Sequence, residues 1–139
     1  MHAQMMIQTH PEVDGDIAAD AGLIDCIETC FDCAQTCIAC ADACLAEEDA
    51  DHLKLCIRLN MDCADVCATA GKVATRRTGS NVTTLRTLLA ACAEACRVCA
   101  RECELHGDSH DHCAICADAC RTCEDLCRSA LGTAPTVLQ

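Results

Sequence analysis

The chain has 139 residues and 18 of them are Cys, a share at which cysteine dominates the composition. Leu, Ile, Val and Phe together supply only 26 residues and Phe31 is the one aromatic side chain, which excludes an ordinary core of large apolar residues and an aromatic platform for nucleic acid. The net charge of −12 opposes binding to phosphate backbones. The length fits a single domain.

Residues 1–19 are polar, include Pro11 and Gly15, and predict a loose N-terminal arm. The first residues carry neither Lys nor Arg and have no apolar run of signal-peptide length. No stretch of about 18 apolar residues follows, so a membrane span is not expected. We therefore expect a cytosolic protein, a setting in which many cysteines indicate metal binding more often than disulfides.

From Asp20 onward, the cysteines recur every three or four residues, which is the spacing of the inward-facing seam of a helix in a bundle. The spacing and the breaks between the runs predict helices at about 20–47, 51–77, 81–106 and 109–131, followed by a tail at 132–139. The seam of the first helix contains Cys26, Cys30, Cys33, Cys37, Cys40 and Cys44. That of the second contains Cys56, Cys63 and Cys67. That of the third contains Cys92, Cys96, Cys99 and Cys103. That of the fourth contains Cys113, Cys116, Cys120, Cys123 and Cys127.

Four long helices with short connections predict an all-α, antiparallel up-down-up-down four-helix bundle over residues 20–131, with a cysteine-lined core. On the first helix a second stripe lies one residue on from the seam, and we expect it to seal helix contacts or to form an oligomer interface. That stripe contains Ile24, Ile27, Phe31, Ala34, Ile38, Ala41 and Leu45.

Three interpretations of the cysteines are open. They could be small hydrophobic core residues, although a core built from them would be weak and oxidisable. They could form disulfides, since residues three or four apart on a helix lie within disulfide range, but many thiols would compete for each partner. Metal binding is favoured, because Cys-x-x-Cys and Cys-x-x-x-Cys pairs on a helix place two sulfurs on one face, and thirteen such pairs face one core.

Soft thiolates select Cu(I), Zn(II) or iron–sulfur clusters. Each zinc with four thiolates carries a net charge of −2, which is costly to bury in a row, and iron–sulfur clusters need four-thiolate cages that a slim bundle hardly accommodates. Cu(I) accepts two or three thiolates and thiolates can bridge, so about one Cu(I) per Cys leaves the core neutral. A zinc or general thiolate metal buffer remains the alternative.

With these seams the sequence resembles the four-helix-bundle copper storage proteins, specifically their cytosolic branch without a signal peptide. The resemblance covers residues 20–131 and implies a homotetramer of bundles that each store many Cu(I) ions without catalytic turnover. The expected copper donor is a chaperone or a small thiol. No nucleophile–base pair, phosphate loop or paired carboxylate site suggests an enzyme.

Up-down connectivity places Cys44, Cys56, Cys103 and Cys113 at one end, called the mouth below. Extending the seams there adds His52, His106 and His110, which we expect to ring the mouth and to serve copper entry and exit. The resemblance implies His ligands near the mouth at His106 and His110. His112 lies off the seam and is expected to be solvated.

The opposite end, called the deep end below, is expected to be apolar and closed. The seams extend there to Leu23, Ala70, Leu85, Leu88 or Leu89, and Ala130 or Leu131. Asn60 occupies the seam position between Cys56 and Cys63, where it is expected to mark the edge of the sulfur-lined region or to orient a neighbouring group. Met61 beside it is expected to fill a gap in the packing rather than to bind metal.

Overall fold

The computed structural model of the protein describes residues 2–13 and 17–132, and within these ranges it contains helices and no strand. The elements are α1 (His2–Gln8), α2 (Ile17–Leu45), a short 3₁₀-helix (Ala50–Leu53), α3 (Lys54–Thr75), α4 (Val82–His106) and α5 (Asp111–Gly132). The four helices predicted from the cysteine spacing correspond to α2–α5.

The helices α2–α5 form a four-helix bundle in which α2 and α4 each pack against both α3 and α5. Sulfur contacts show the antiparallel arrangement. Near the end of α2, Cys44 lies 3.9 Å from Cys113 near the start of α5, and near the other end of α2, Cys26 lies 3.8 Å from Cys127. The predicted all-α, up-down-up-down bundle is therefore confirmed.

The connections are short, as the predicted topology requires. Between α3 and α4 the chain turns at Gly79, whose φ of 67° lies in the left-handed region that suits a residue without a side chain. Between α4 and α5 the backbone N–H groups of Ser109 and His110 both donate to the carbonyl of His106. Such tight turns hold neighbouring helices antiparallel and keep their seams aligned.

The deep end is closed by apolar side chains, as expected from the sequence. Leu23, Leu85 and Leu89 are fully buried there, together with the small residues Ala70 and Ala130. These leucines are among the largest buried side chains of the described residues. The sulfur-lined part of the core therefore ends in a layer of ordinary hydrophobic packing.

The N-terminal segment differs from the predicted loose arm. Residues 2–8 form α1, which packs against α2 and buries Ile7. The carboxylate of Glu12 accepts a hydrogen bond of 2.8 Å from the backbone N–H of Gly79, and His10 lies 3.2 Å from the Thr78 hydroxyl. The segment is thus attached to the turn between α3 and α4 at the deep end. Residues 14–16 and the predicted tail from residue 133 lie outside the described residues.

The second stripe of α2 seals the bundle only in part. Ile24, Ile27, Ala34 and Ala41 are buried, as expected. The remaining members point outward, with exposed fractions of 42% for Phe31, 61% for Ile38 and 64% for Leu45. These three outward side chains, spaced seven residues apart, form an apolar line along α2 that we call the α2 surface line.

None of the helices in the described part of the chain combines the length and the apolar composition that are needed to cross a bilayer.

Candidate metal-binding core

Every one of the 18 cysteines points into the bundle. Each side chain is at most 2% exposed, and all are free thiols. The cause is the repeat of three and four residues, which keeps successive cysteines on the same face of each helix. The predicted seams are therefore placed in the core on all four helices.

The sulfur atoms of different helices lie close together along the bundle axis. Between α3 and α4, Cys67 Sγ lies 3.4 Å from Cys92 Sγ and 3.5 Å from Cys96 Sγ. Between α2 and α5, Cys37 Sγ lies 3.6 Å from Cys120 Sγ. Because thiolates this close can share a metal ion, the core offers bridging positions as well as single sites.

Groups of four thiols are repeated along the core, with ligand atoms that all lie within 4.8 Å of one another. Several cysteines, such as Cys33, Cys37 and Cys120, belong to more than one group. Five of the groups are Cys30/Cys92/Cys123/Cys127, Cys33/Cys63/Cys67/Cys96, Cys33/Cys37/Cys63/Cys120, Cys37/Cys99/Cys116/Cys120 and Cys40/Cys44/Cys56/Cys113. Overlapping groups suit an ion that accepts bridging thiolates better than they suit isolated tetrahedral sites.

Burial controls the protonation of the thiols at the mouth. Removal from water raises the pKa of Cys44 to about 11 and also raises the pKa of Cys113. Also at the mouth, the hydrogen bond with Cys103 lowers the pKa of Cys56, and hydrogen bonds with Cys116, Cys40 and Cys56 raise the pKa of Cys103, so Cys103 retains its proton. A bound metal ion must therefore displace protons from this core.

Asn60 lies inside the sulfur core and not at its edge. Its side chain is fully buried, and its amide nitrogen donates to the carbonyl of Cys56 at 2.7 Å. The same nitrogen lies 3.5 Å from Cys103 Sγ, and its Oδ1 accepts from the thiol of Cys116 at 2.8 Å. The expectation that Asn60 marks the edge of the sulfur-lined region is therefore wrong, and the alternative, that it orients a neighbouring group, stays a prediction that these contacts support. Met61, by contrast, is 56% exposed and fills no gap in the packing.

His112 is the imidazole that contacts the sulfur core, so the prediction that it is solvated was wrong. Its Nδ1 lies 3.5 Å from Cys40 Sγ, 3.6 Å from Cys113 Sγ and 4.0 Å from Cys44 Sγ. Its Nε2 is buried, without a hydrogen-bond partner, 3.8 Å from a carboxylate oxygen of Glu47.

The other histidines at the mouth pair with carboxylates. His110 Nδ1 lies 2.5 Å from Glu47 and its Nε2 lies 3.1 Å from Asp49, and the ring stacks on His112 with centroids 5.4 Å apart. The hydrogen bond to Asp49 raises the pKa of His110. His106 pairs with Glu102 on its own helix at 2.8 Å, and His52 is exposed. Of the predicted ring, only His110 therefore lies beside the imidazole that contacts the sulfurs.

The sequence signal for His112 is its position immediately before Cys113. Helix α5 begins at Asp111, so His112 belongs to its first turn. A prediction that counts only seam positions leaves His112 out, because it lies one residue before the seam. A residue in the first turn next to a seam position can still turn inward towards the neighbouring helix. Here the ring lies against α2 before that helix ends at Leu45, with Nδ1 closer to Cys40 than to Cys44.

Comparison with known proteins places these features among copper proteins. A family model described as copper storage protein matches residues 19–132. The structure of the copper storage protein Ccsp from Streptomyces lividans, loaded with 10 copper equivalents, is 44% identical with a TM-score of 0.86, over 93% of this chain and 97% of that one.

The comparisons also find similarity to Bacillus subtilis, in a solved structure and in a protein sequence. The Cu(I)-bound copper storage protein BsCsp3 is 43% identical with a TM-score of 0.66, over 76% of this chain and 93% of that one. The uncharacterized cysteine-rich protein YhjQ of strain 168 is 45% identical over 104 residues, which are 75% of this chain and 91% of that protein.

Proposed function

This chain belongs to the copper storage protein family, and from that membership we propose that it sequesters many Cu(I) ions, about one for each of its 18 cysteines. The observation that carries the proposal is the convergence of all 18 thiols, from four helices, in one buried core. The ions are the cargo of the protein, and its work is their capture and release rather than the turnover of a substrate.

Charge balance supports Cu(I) in this core. Each Cu(I) that replaces one thiol proton leaves the charge of the core unchanged, whereas zinc bound by four thiolates adds a charge of −2 at each site. At the mouth, Cys44 and Cys113 are buried and protonated before loading, as their raised pKa values indicate. A row of neutral copper–thiolate units therefore costs less desolvation than a row of zinc tetrathiolates.

The histidines at the mouth are proposed to assist exchange. His112 offers Nδ1 directly to the sulfurs of Cys40 and Cys113, so it is the imidazole best placed to receive copper from outside and pass it to the core. His110 and His106 are proposed as outer residues of the same route, in which carboxylate partners orient their rings. Neutral imidazole binds Cu(I) less firmly than thiolate does, which suits an exchange position.

The compartment, the copper donor and the oligomeric state are proposed on the same basis. A cytosolic location fits 18 free thiols, which an oxidising compartment would convert to disulfides. Since free thiols in the cytosol compete for copper, the donor is proposed to be a copper chaperone or a small thiol. A homotetramer is proposed from the family resemblance, and the α2 surface line offers an apolar contact face for a second copy of the chain.

The groups of four thiols within 4.8 Å also suit zinc, so a zinc or general thiolate buffer is the second candidate. The test is an anaerobic Cu(I) titration of the fully reduced protein against a competing Cu(I) chelator, with thiols counted before and after and a parallel Zn(II) titration. We expect uptake near one Cu(I) per Cys with all thiols masked. Saturation at four or five ions of either metal would instead establish zinc-type sites and overturn copper storage.

A further inference from the structure

We propose that Glu47, His110 and His112 form a binding site for one divalent cation at the mouth, on the edge of the His112 ring that faces away from the sulfurs. The ion would be held by imidazole nitrogens and a carboxylate, so the site differs from the sulfur core in its donors and in the metals it selects. The inference goes beyond copper storage. Only its last step, the competition with copper at His112, rests on the proposed function.

Two imidazole nitrogens approach one carboxylate at the mouth. His110 Nδ1 lies 2.5 Å from Oε2 of Glu47, and His112 Nε2 lies 3.8 Å from Oε1 of the same side chain. The three side chains are partly shielded from solvent, with exposed fractions of 11% for His110, 26% for His112 and 32% for Glu47. Two imidazoles and a carboxylate are a donor set that proteins use for Zn²⁺ and other divalent transition metals.

The spacing of these donors suits one ion after a small movement of Glu47. Ligand atoms of a tetrahedral ion bound at about 2.1 Å lie about 3.4 Å apart. The two nitrogen–oxygen distances, 2.5 and 3.8 Å, lie on either side of that value. Glu47 belongs to the turn that follows the end of α2 at Leu45. Its carboxylate can therefore make a shift of less than about 1 Å without the movement of a helix.

Asp49 orients one of the ligands from outside the site. Its Oδ2 lies 3.1 Å from Nε2 of His110, the ring nitrogen that does not face Glu47. Histidines that bind metals commonly donate their other ring N–H to a carboxylate, which fixes the tautomer and the orientation of the ring. With its proton on Nε2, His110 would present the lone pair of Nδ1 to an ion between the ring and Glu47. Asp49 is thus a positioning residue for this site.

The Nε2 atom of His112 is an unpaired polar atom beside these carboxylates. It is buried and has no hydrogen-bond partner among the described residues, and Glu47 at 3.8 Å is too distant to be one. Buried polar atoms are almost always satisfied, so this exception requires an explanation. A cation bound to Nε2 would satisfy the nitrogen, and the charges of Glu47 and Asp49 would balance the ion.

The two ring nitrogens of His112 cannot serve both metals at once. A neutral imidazole has one nitrogen with a lone pair and one N–H group. When a divalent ion occupies Nε2, the proton is on Nδ1, which then donates towards the sulfurs of Cys40 and Cys113 instead of binding Cu(I). When Cu(I) takes Nδ1, the proton moves to Nε2 and the divalent ion loses a ligand. Occupation of the outer site would therefore slow the exchange of copper through His112.

The experiment uses Mn²⁺ as the probe on the full, reduced, copper-free chain, because Mn²⁺ accepts oxygen and nitrogen ligands whereas soft thiolates select other metals. Loss of the electron paramagnetic resonance signal of free Mn²⁺ measures binding, and broadening of backbone amide ¹H–¹⁵N signals locates the ion. The variants are Glu47→Gln and His112→Phe. Glu48→Gln is the matched control, since it removes the same charge from an exposed neighbouring residue of a chain with a net charge of −12.

We expect one Mn²⁺ per chain, with broadening centred on residues 47–49 and 110–112. The affinity should fall at least about tenfold in Glu47→Gln and in His112→Phe, as loss of one ligand implies, and should stay within about twofold in Glu48→Gln. Absence of binding in the parent overturns the site. Equal affinities in all four proteins, or broadening spread over the acidic surface, overturn it as well, because they indicate diffuse attraction by the net charge.

The competition with copper is tested on the same proteins. Bound Mn²⁺ should slow anaerobic Cu(I) loading several-fold in the parent but not in Glu47→Gln, and loading to saturation should release the Mn²⁺. Equal loading rates with and without bound Mn²⁺ overturn the competition. Copper capacity, measured without Mn²⁺, tests the proposed storage function independently, so a failure of that function is distinguishable from a failure of the divalent site.

Discussion

The Nδ1 atom of His112 lies 3.5 Å from the Sγ atom of Cys40, so an imidazole at the start of α5 contacts a thiol near the end of α2. Both residues adjoin the mouth, where Cys44 and Cys113 also meet. The side chain of His112 is 26% exposed although its Nε2 is buried, so the ring lies between solvent and the sulfurs with Nδ1 towards the sulfurs. Under the proposed function, this contact would be the point at which copper passes between outside ligands and the core.

Replacing His112 by Phe should slow copper uptake and copper removal by a chelator several-fold, because the ring would still fill the space but offer no ligand. The total capacity should fall by no more than about one ion, since the thiolates hold the cargo. Anaerobic stopped-flow loading measures the rate. His52→Phe is the matched control, as His52 lies exposed at the same end. Equal rates in the parent and His112→Phe would refute the transfer role.

Removal of thiols should lower the capacity in steps. The double variant Cys63→Ala, Cys67→Ala deletes two adjacent sulfurs of α3 and should bind about two Cu(I) fewer, at one ion per thiolate. Met61→Leu removes an exposed thioether on the same helix and should change nothing. Titration with a competing chelator gives both numbers. An unchanged capacity in the double variant would show that the core thiols are not the ligands.

Alkaline pH should destabilise the copper-free protein. The folded-state pKa of Cys44 is raised from the ordinary thiol value of 9.0 to about 11, so the fold favours the protonated thiol. The stability contributed by this difference is complete below pH 9 and is lost as the pH rises towards 11. Cys113 adds in the same direction. Urea unfolding at about pH 8 and about pH 10.5 measures the loss.

The copper-loaded protein is the control for that pH dependence, because its thiolates have already lost their protons. It should unfold at similar urea concentrations at both pH values. Loading itself should release about one proton per copper ion, measured by pH-stat titration. A copper-free protein whose stability did not fall over this range would show that the mouth thiols are not held in their protonated form.

Substitution by alanine should affect the stability of the protein differently at two helical glycines. An added Cβ at Gly71 in α3 would lie 3.0 Å from ring atoms of Phe31, so the ring would have to shift by a few tenths of an ångström. Gly22 in α2 has nothing within 4 Å of that position. We expect Gly22→Ala to stabilise the protein by about 0.5–1 kcal/mol and Gly71→Ala to be less stable than Gly22→Ala by at least about 1 kcal/mol. Chemical denaturation measures both, and equal gains would contradict the packing of Phe31 on Gly71.

The sequence predicted the parts of this protein that repeat. Spacings of three and four residues define both the helices and the inward face, so all four bundle helices and the burial of residues such as Cys26 and Cys127 follow from the period alone. The closed deep end also follows, because extending the seams leads to leucine and alanine.

Features that depend on single contacts could not be predicted in this way. Helix α1 has seven residues and is held by packing on α2 and by the contact of Glu12 with Gly79, neither of which is a local signal. The inward position of His112 depends on its contacts with Cys40 and Cys44 of α2, which the spacing within α5 does not reveal. The exposure of Phe31 and Ile38 depends on the angle at which α2 faces its neighbours, which the spacing of apolar residues does not determine.

The leucine layer of Leu23, Leu85 and Leu89 closes the deep end, so copper stored as proposed would have to enter and leave the core at the mouth. Ions that moved inward along the thiols would have no exit behind them, so the ions nearest the mouth would be the last to arrive and the first to leave. A partly emptied protein would then keep its deepest copper as a reserve, and the rate at which it supplies copper would fall as the store is drawn down. Release would follow a last-in, first-out order that the fold itself imposes.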